Sequence, residues 1–345
     1  MHYMLNEIRE QPGWVDQTLE AERNSVSELV NAMRDRNIRF VVIAARGTSD
    51  NAAVYLKYLF EIMAGIPVAL AAPSVYTLYD AHLHLDNVLV MGISQSGEGS
   101  DVVQALSSAR SAGALTACIT NSSSSPITHV CDHVLLSHAG DERAVAATKT
   151  YTTALATAAL LVARLVDSRE ILAGLHTISA RMRETLETEE QIFQAVERFR
   201  YMEECAVLAR GINQATALEA ALKMVETSYV AARPFSGADF LHGPVAMLHD
   251  GFPCFLFAPE GRAYPFMLEL ALKIQARGGE MVIFSRELEI LDLATVPLKV
   301  PVSIPEILSP LIYAIPAQLF ACHLSTLRGS NPDAPRGLTK VTKTL

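Results

Sequence analysis

Short apolar runs alternate with amphipathic stretches along most of the chain. Four such runs lie in the first half, namely "FVVIAARG" (Phe40–Gly47), "NVLVMGI", "LTACITN" and "HVLLS". The segments "DNAAVYLKYLFEIMAG" and "SDVVQALSSARSAG", which lie between them, have helical periodicity. Apolar runs of this length separated by helices are typical of parallel strands covered on both faces. The pattern therefore predicts an α/β fold with a doubly wound parallel sheet.

The same order of elements recurs in the second half of the chain. "CAVLARG" (Cys205–Gly211) repeats the pattern of "VVIAARG", and the helical segment "NQATALEAALKMVETSY" follows it. "FPCFLFAP" and "EMVIFS" are further strand-like runs. A repeat on this scale predicts two tandem copies of one α/β domain. We place the join in the charged helical stretch Ile178–Arg200, which gives predicted domains of residues 1–190 and 191–345.

Composition and charge narrow the range of partners. The chain has 345 residues, 28 of them Lys or Arg and 37 Asp or Glu, so its formal charge of −9 argues against nucleic acid and anionic membranes. The five cysteines form no C-x-x-C pair, and the first residues lack the apolar core of a signal peptide. The longest apolar run, Ala154–Leu165, is too short to span a bilayer. We therefore expect a soluble cytoplasmic protein with no metal site and no membrane partner.

A loop rich in hydroxyls and glycines, Ser94–Gly99 ("SQSGEG"), lies where a predicted strand passes into a predicted helix. Ligands of open parallel sheets bind at this end of the strands, and a helix N-terminus favours an anion such as phosphate. The loop lacks the lysine of a P-loop, and Val102 replaces the third glycine of a dinucleotide fingerprint. By itself the loop is equally compatible with serines that only cap the helix.

Two further turns favour the ligand-binding interpretation. "ARGTSDN" contains Thr48 and Ser49, and "TNSSSSPI" (Thr120–Ile127) follows the next predicted strand with four consecutive serines. Three hydroxyl-rich turns at the same edge of one sheet predict a small, phosphorylated and hydroxylated ligand.

The segments "ARGTS", "SQSGEGSD", "AVAATKTYTT", "ALEAALKMVETSY", "DFLHGPVAML" and "APRGLTKVTKTL" resemble the SIS (sugar isomerase) family. The resemblance is to the isomerase half of glucosamine-6-phosphate synthase and to its stand-alone deaminase relatives. It implies two tandem flavodoxin-like SIS domains, a homodimer, and a sugar-phosphate site built mainly by the first domain.

The resemblance also implies a set of ligand-binding residues. In the synthase a threonine that touches phosphate occupies the position of Gly99, and Ser100 is expected to take its place. Val145 matches a backbone contact in the segment "AVAATK". The expected phosphate and substrate binders are Thr48, Ser49, Ser94, Gln95, Ser96, Ser100 and Val145.

The catalytic residues implied by the resemblance are Lys223, Glu226, His242 and Lys340. His242 would be donated across the dimer interface to open the sugar ring, and Glu226 would move a proton between C2 and C1. Lys340, in the C-terminal tail, would form an imine with an open-chain ketose. Asp239, where the synthase has glutamate, is expected to orient His242.

Aldose–ketose interconversion needs an acid–base group to open the ring, a base near C1 and C2, and a cation or donor that stabilises the enediol or enamine charge. Glu226 suits the second role and Lys223 the third. Without the resemblance, however, Lys223 and Glu226, three residues apart on one helix, would be read as a surface ion pair worth about 0.3–0.5 kcal/mol.

The expected reaction is the conversion of glucosamine 6-phosphate and water to fructose 6-phosphate and ammonia, without a metal or an organic cofactor. The chain begins at the isomerase-like segment, with His2 at its second position, so we expect no glutaminase domain. The enzymatic alternatives are another phosphosugar aldose–ketose isomerase, a fructosyl-amino-acid phosphate deglycase and an ammonia-dependent aminotransferase. The non-enzymatic alternative is a sugar-phosphate sensor, which would need the serine loops but not Lys223, Glu226 and His242 together.

Overall fold

The computed structural model describes residues 2–340, which contain two five-stranded parallel sheets. The strands of the first sheet are β1 (Phe40–Ala45), β2 (Val68–Leu70), β3 (Val88–Ser94), β4 (Leu115–Thr120) and β5 (His133–Leu136). The helices along this part of the chain are α1 (Tyr3–Ala21), α2 (Arg23–Asp35), α3 (Thr48–Leu59), α4 (Ser74–Thr77), α5 (Ser100–Ser111), α6 (Pro126–His129), α7 (Lys149–Leu165) and α8 (Arg169–Leu186). A π-helical turn, Phe60–Ala64, continues α3.

The second sheet repeats this arrangement further along the chain. Its strands are β6 (Glu204–Ala209), β7 (Ala231–Ser236), β8 (Pro253–Ala258), β9 (Glu280–Ser285) and β10 (Val296–Lys299). Its helices are α9 (Glu189–Val196), α10 (Gln214–Ser228), α11 (Gly237–Leu241), α12 (Tyr264–Gln275), α13 (Leu288–Leu291) and α14 (Ser309–Leu327).

The order of strands confirms the predicted fold class. The first sheet has the order β2-β1-β3-β4-β5, and the second has β7-β6-β8-β9-β10 when read from the corresponding edge. All neighbouring strands are parallel. This is the flavodoxin-like order, in which the direction of winding changes between the first and third strands of each sheet. The two halves are therefore copies of one α/β topology.

The described residues fall into two compact units. The first sheet unit consists of Gly13–Glu142, Lys149–His176 and residues 338–340. The second sheet unit consists of residues 2–12, Arg143–Thr148 and Thr177–Gly337. The domain boundary between residues 190 and 191 stays a prediction.

Each unit has its own apolar core. In the first, Val90 of β3 and Ala105 and Leu106 of α5 belong to one buried cluster. In the second, Leu256 of β8 and Leu270 of α12 belong to another. Strands that are buried on both faces carry few polar residues, which is why these runs could be recognised from the sequence.

The helix α14 and the 3₁₀ turn before it are long and apolar enough to cross a membrane. Among the described residues, Glu306–Leu327 is the one helical segment that has both the length and the apolar composition of a membrane span, with a mean hydropathy of 1.5. Of its 18-residue apolar window, 94% is buried. An all-round apolar helix is equally typical of a protein core, which is where α14 lies.

Candidate active site

The three hydroxyl-rich turns follow β1, β3 and β4, which are neighbours in the first sheet. The register pairs Ala45 with Ile93, and Ile93 with Ile119. The turns after these residues therefore stand side by side at one edge of the sheet, the one formed by the carboxyl ends of its strands. The winding changes direction between β1 and β3, where sheets of this kind bind their ligands. Six of the predicted binding residues stand at this edge: Thr48, Ser49, Ser94, Gln95, Ser96 and Ser100.

The serines of the loop between β3 and α5 organise the loop itself. Ser94 Oγ accepts a hydrogen bond from the amide of Gly97 at 3.1 Å, and Ser96 Oγ accepts one from the amide of Glu98 at 3.3 Å. Both amides belong to the loop and not to α5. The geometry therefore contradicts the alternative in which these serines only cap the helix. The loop thus leads into α5 with the helix dipole directed toward the edge of the sheet.

The loop after β3 is also tied to the turn after β4. The amide of Asn121 donates to Gln95 O at 3.0 Å, and the amide of Ile127 donates to Gly97 O at 3.1 Å. Ser125, one of the four consecutive serines, is buried and donates to Ser122 O at 2.9 Å. Part of the predicted hydroxyl set therefore builds the turn itself.

An ion pair joins the turn after β1 to the first turn of α5. Arg46 Nε lies 2.8 Å from Asp101 Oδ2, and Asp101 is buried whereas Arg46 is exposed. Burial raises the pKa of Asp50, in the first turn of α3, and the positive charge of Arg46 opposes that rise. The guanidinium of Arg46 thus stands at the edge that carries the hydroxyls.

Lys340 also belongs to the first sheet unit. Its Nζ lies 2.8 Å from Oε2 of Glu142, whose side chain is 0% exposed. The same carboxylate accepts hydrogen bonds from Thr150, by the amide to Oε1 at 3.1 Å and by Oγ1 to Oε2 at 2.8 Å. The predicted tail lysine is therefore held by a buried carboxylate.

The second sheet unit carries Lys223 and Glu226 on α10. Lys223 Nζ lies 2.6 Å from Glu226 Oε2 and 3.6 Å from Glu219 Oε1. The side chains of Lys223 and Glu219 are each 1% exposed, and that of Glu226 is 23% exposed. The alternative of an ordinary surface pair is therefore wrong. A buried ammonium between two carboxylates is costly unless all its partners are in place, which is more typical of a functional site than of a solvated helix face.

His242 is exposed and follows α11 directly. Its amide donates to the backbone oxygen of Asp239 at 3.1 Å. The two residues are thus joined through the backbone, and the hydrogen bonds described for residues 2–340 include none from the His242 imidazole to the Asp239 carboxylate. Val145 lies in another segment of this unit, where its amide donates to Asp333 O at 3.0 Å.

Within each unit the structure groups some predicted residues and separates others. In the first unit the six binders share one edge. In the second unit Lys223 contacts Glu226, whereas the described hydrogen bonds do not connect His242 or Val145 with that pair. Among the described residues no group of three or more His, Cys, Asp or Glu side chains could hold a metal ion.

Three residues of these sites were not singled out from the sequence. Arg46 and Asp101 lie inside the recognised motifs, so their opposite charges at adjacent turns were a usable signal. Glu142 stands 198 residues from Lys340, and nothing local in the sequence marks it as the partner of the tail.

Comparison with known proteins identifies the family to which the chain belongs. The model for the SIS domain matches residues 36–164 and again residues 203–328, which together make up more than half of the chain. The chain belongs to the SIS domain family. The two matches coincide with the two parallel sheets, so the two tandem SIS domains expected from the sequence are confirmed.

Two solved structures share the double SIS architecture. A protein from Silicibacter pomeroyi, proposed to be a phosphosugar isomerase, is 32% identical in sequence and superposes with a TM-score of 0.87. The match covers 96% of this chain and 100% of that protein. The C-terminal domain of glucosamine-fructose-6-phosphate aminotransferase from Francisella tularensis is 27% identical with a TM-score of 0.87, covering 97% and 98%.

A longer relative extends the comparison. The glutamine–fructose-6-phosphate aminotransferase (isomerizing) of Pyrococcus horikoshii is 35% identical over 348 aligned residues. The alignment covers 98% of this SIS chain but only 57% of the aminotransferase. The chain therefore corresponds to little more than half the length of that relative.

Proposed function

We propose that the chain converts glucosamine 6-phosphate and water to fructose 6-phosphate and ammonia. The observation that carries this proposal is the buried ammonium of Lys223, held between Glu219 and Glu226 on α10. A protein that only senses a sugar phosphate has no use for a desolvated cation beside a partly exposed carboxylate. An enzyme that moves a proton between neighbouring carbons needs both.

The chemistry assigns one step to each group. His242 transfers a proton as the sugar ring opens. Glu226 then removes the proton from C2 of the open-chain amino sugar and returns it to C1, while Lys223 stabilises the negative charge that develops. The product is an imine at C2, which water hydrolyses to the ketose and ammonia. Sugar and water are the only reactants in this scheme.

Recognition of the phosphate is assigned to the edge of the first sheet. Ser49, Ser94, Gln95 and Ser96 offer hydroxyl and amide donors, and the N-termini of α3 and α5 add their dipoles. The names of the relatives agree with a phosphorylated sugar. Their aminotransferase names also favour a second candidate, the reverse reaction, in which fructose 6-phosphate and free ammonia yield glucosamine 6-phosphate.

The test is incubation of the purified protein with glucosamine 6-phosphate and measurement of ammonia and fructose 6-phosphate. We expect the two products in equal amounts. Glu226→Gln should lower kcat by about 100-fold or more, because the proton carrier is lost while its shape is kept. The matched control is Glu269→Gln on α12, which alters an exposed carboxylate paired with Lys273 and should leave kcat unchanged.

Each alternative has its own outcome in the same assay. Exchange of deuterium from solvent into C1 of fructose 6-phosphate, without release of ammonia from the amino sugar, would indicate an isomerase of another phosphosugar. Release of an amino acid from a fructosyl-amino-acid phosphate would indicate a deglycase. Binding without turnover or exchange of any of these compounds would indicate a sensor.

The proposal includes a cytoplasmic homodimer in which His242 serves the site of the other subunit. The exposed position of His242 is compatible with that role. Sedimentation equilibrium should give twice the mass of the chain, and mixing His242→Ala with Glu226→Gln subunits should restore activity that neither variant has. A monomer with full activity would contradict this part of the proposal.

A further inference from the structure

Glu142 has a side chain with no exposure to solvent, and its carboxylate contacts both Thr150 and Lys340 in the first sheet unit. Thr150, in the first turn of α7, donates to it through its amide and its hydroxyl. Lys340, near the end of the described chain, places its ammonium 2.8 Å from Oε2. The two threonine contacts satisfy hydrogen-bonding positions, and the lysine supplies a countercharge.

Glu142 is held in place by other contacts, whereas Lys340 lies in the C-terminal tail. The position of the carboxylate is defined by α7 through Thr150, whereas Lys340 has a partly exposed side chain, 27% accessible, in a segment without helix or strand. A charge-assisted hydrogen bond to a fully buried carboxylate is stronger than a surface contact, because little water competes for the carboxylate. The contact therefore fixes the lysine relative to the sheet more than it fixes the carboxylate.

We propose that Glu142 is a positioning residue for Lys340. It holds the tail ammonium at one place in the first sheet unit, so that Lys340, the residue expected to form an imine with the open-chain ketose, is already located when the sugar phosphate is bound. This inference rests on the proposed function for its catalytic consequence, but not for the contact itself. Glu142 acts through Lys340 and is assigned no contact with the substrate.

The first test is a double-mutant cycle on turnover of glucosamine 6-phosphate. Glu142→Gln keeps the size of the side chain and removes its charge, and we expect kcat to fall about 10-fold with KM changed less than about threefold. Lys340→Met should lower kcat at least as much. If the two residues act as one unit, the double variant should be no slower than Lys340→Met alone. Equal losses from Glu142→Gln with and without Lys340 would overturn the proposal.

Two controls separate positioning from a general effect on the fold. Thr150→Val removes the hydroxyl that donates to the same carboxylate oxygen but leaves Lys340, so it should lower kcat less than Glu142→Gln. Glu22→Gln alters another buried carboxylate of this unit, whose Oε1 lies 2.6 Å from His138 Nε2. Glu22→Gln should leave kcat unchanged. If Glu142→Gln lowers the melting temperature severely, Glu142→Asp, which keeps the charge, replaces it in the cycle.

A second readout does not depend on turnover. A protease that cleaves after lysine should release residues 341–345 slowly from the unaltered protein, because Lys340 is held against Glu142. Mass spectrometry should find this release about fivefold or more faster in Glu142→Gln. Unchanged release would overturn the proposal even if the enzyme is active. If the unaltered protein does not turn over glucosamine 6-phosphate, the proposed function fails while this contact can still be confirmed.

Discussion

Lys223 and Lys273 make the same kind of contact on two helices and differ in exposure. Lys223 Nζ and Lys273 Nζ each lie 2.6 Å from a glutamate oxygen on their own helix. The side chain of Lys273 is 42% exposed, whereas that of Lys223 is 1% exposed. Spacing along a helix predicts that both pairs form, but only burial decides whether a pair contributes to stability or to chemistry.

We expect Lys223→Met to lower the free energy of unfolding by about 3–5 kcal/mol, because it removes a buried ammonium from beside the buried carboxylate of Glu219. Lys273→Met, on α12, should change it by less than about 0.5 kcal/mol, since water replaces the lost contact. Urea denaturation followed by circular dichroism measures both. Similar small losses for the two variants would contradict the buried position of Lys223.

At the scale of elements, α10 is held in its orientation by α14. Thr227 and Ser228 follow Glu226 on α10, and their hydroxyls approach Ala321 O at 3.4 and 3.2 Å. Ser325 Oγ of α14 donates to Thr227 O at 2.7 Å. These contacts on an otherwise apolar helix fix the rotation of α10 about its axis, and hence the side on which Lys223 and Glu226 lie.

The loop between β3 and α5 contains two glycines with different roles. Gly97 has φ +67°, and a Cβ there would stand 2.1 Å from Ser125 Oγ. Gly99 has φ −58°, and the nearest heavy atom to its Cβ would be 3.6 Å away. Gly97 is therefore required by the close approach of the turn after β4, and Gly99 is not.

We expect Gly97→Ala to weaken binding of fructose 6-phosphate by about 10-fold and to cost about 1–3 kcal/mol of stability, because the loop must move away from Ser125. Gly99→Ala should change stability by less than about 0.5 kcal/mol. Isothermal titration calorimetry and thermal unfolding give the two quantities. Full affinity in Gly97→Ala would show that the loop does not define the phosphate site.

At the scale of the molecule, the duplicated fold carries different chemistry at its two sheet edges. In the second sheet, the loop after β8 leads into α12. There the Glu306 carboxylate accepts hydrogen bonds from the amides of Arg262 at 2.7 Å and Ala263 at 3.2 Å. A carboxylate of the protein itself thus occupies the position where an anion would bind. The two copies share one topology, and the three hydroxyl-rich turns described above belong to the first.

The stability of the molecule should depend on pH through His323 of α14. Its Nε2 lies 3.4 Å from Glu189 Oε1, and burial lowers the pKa of its imidazole despite the opposing charge of Glu189. A lowered pKa in the folded state means that the unfolded chain binds the proton more readily. The contribution of His323 is therefore fully present above about pH 6.5 and is lost as the pH falls through the folded pKa.

We expect the melting temperature to fall between about pH 8 and about pH 5.5, and His323→Gln to reduce this fall by about 1–3 °C. His84→Gln, which alters an exposed histidine, is the matched control and should leave the pH dependence unchanged. Differential scanning calorimetry at the two pH values measures the difference. A pH dependence that is the same in all three proteins would rule out His323 as its source.

The prediction from sequence was best for the buried strands. "EMVIFS" is β9, Glu280–Ser285, and the run "LTACITN" contains β4, Leu115–Thr120. Three of the four strands at the sheet edges, β2, β7 and β10, were not predicted, whereas the fourth, β5, lies in the predicted run "HVLLS". Val68–Leu70 of β2 has three residues, and Ala231–Ser236 of β7 contains an arginine and a proline. Edge strands pair on one side only, so they need neither the length nor the apolar pattern of central ones.

The sequence by itself determined the α/β class, the repeat and the hydroxyl-rich turns, because these depend on periodicity and on residues close together in the chain. Only the tertiary structure decided that Lys223 is buried and that Ser125 builds its turn. It also decided that Glu142 meets Lys340 across 198 residues of chain. Burial and long-range pairing depend on how elements pack, and packing brings together groups that no local pattern relates.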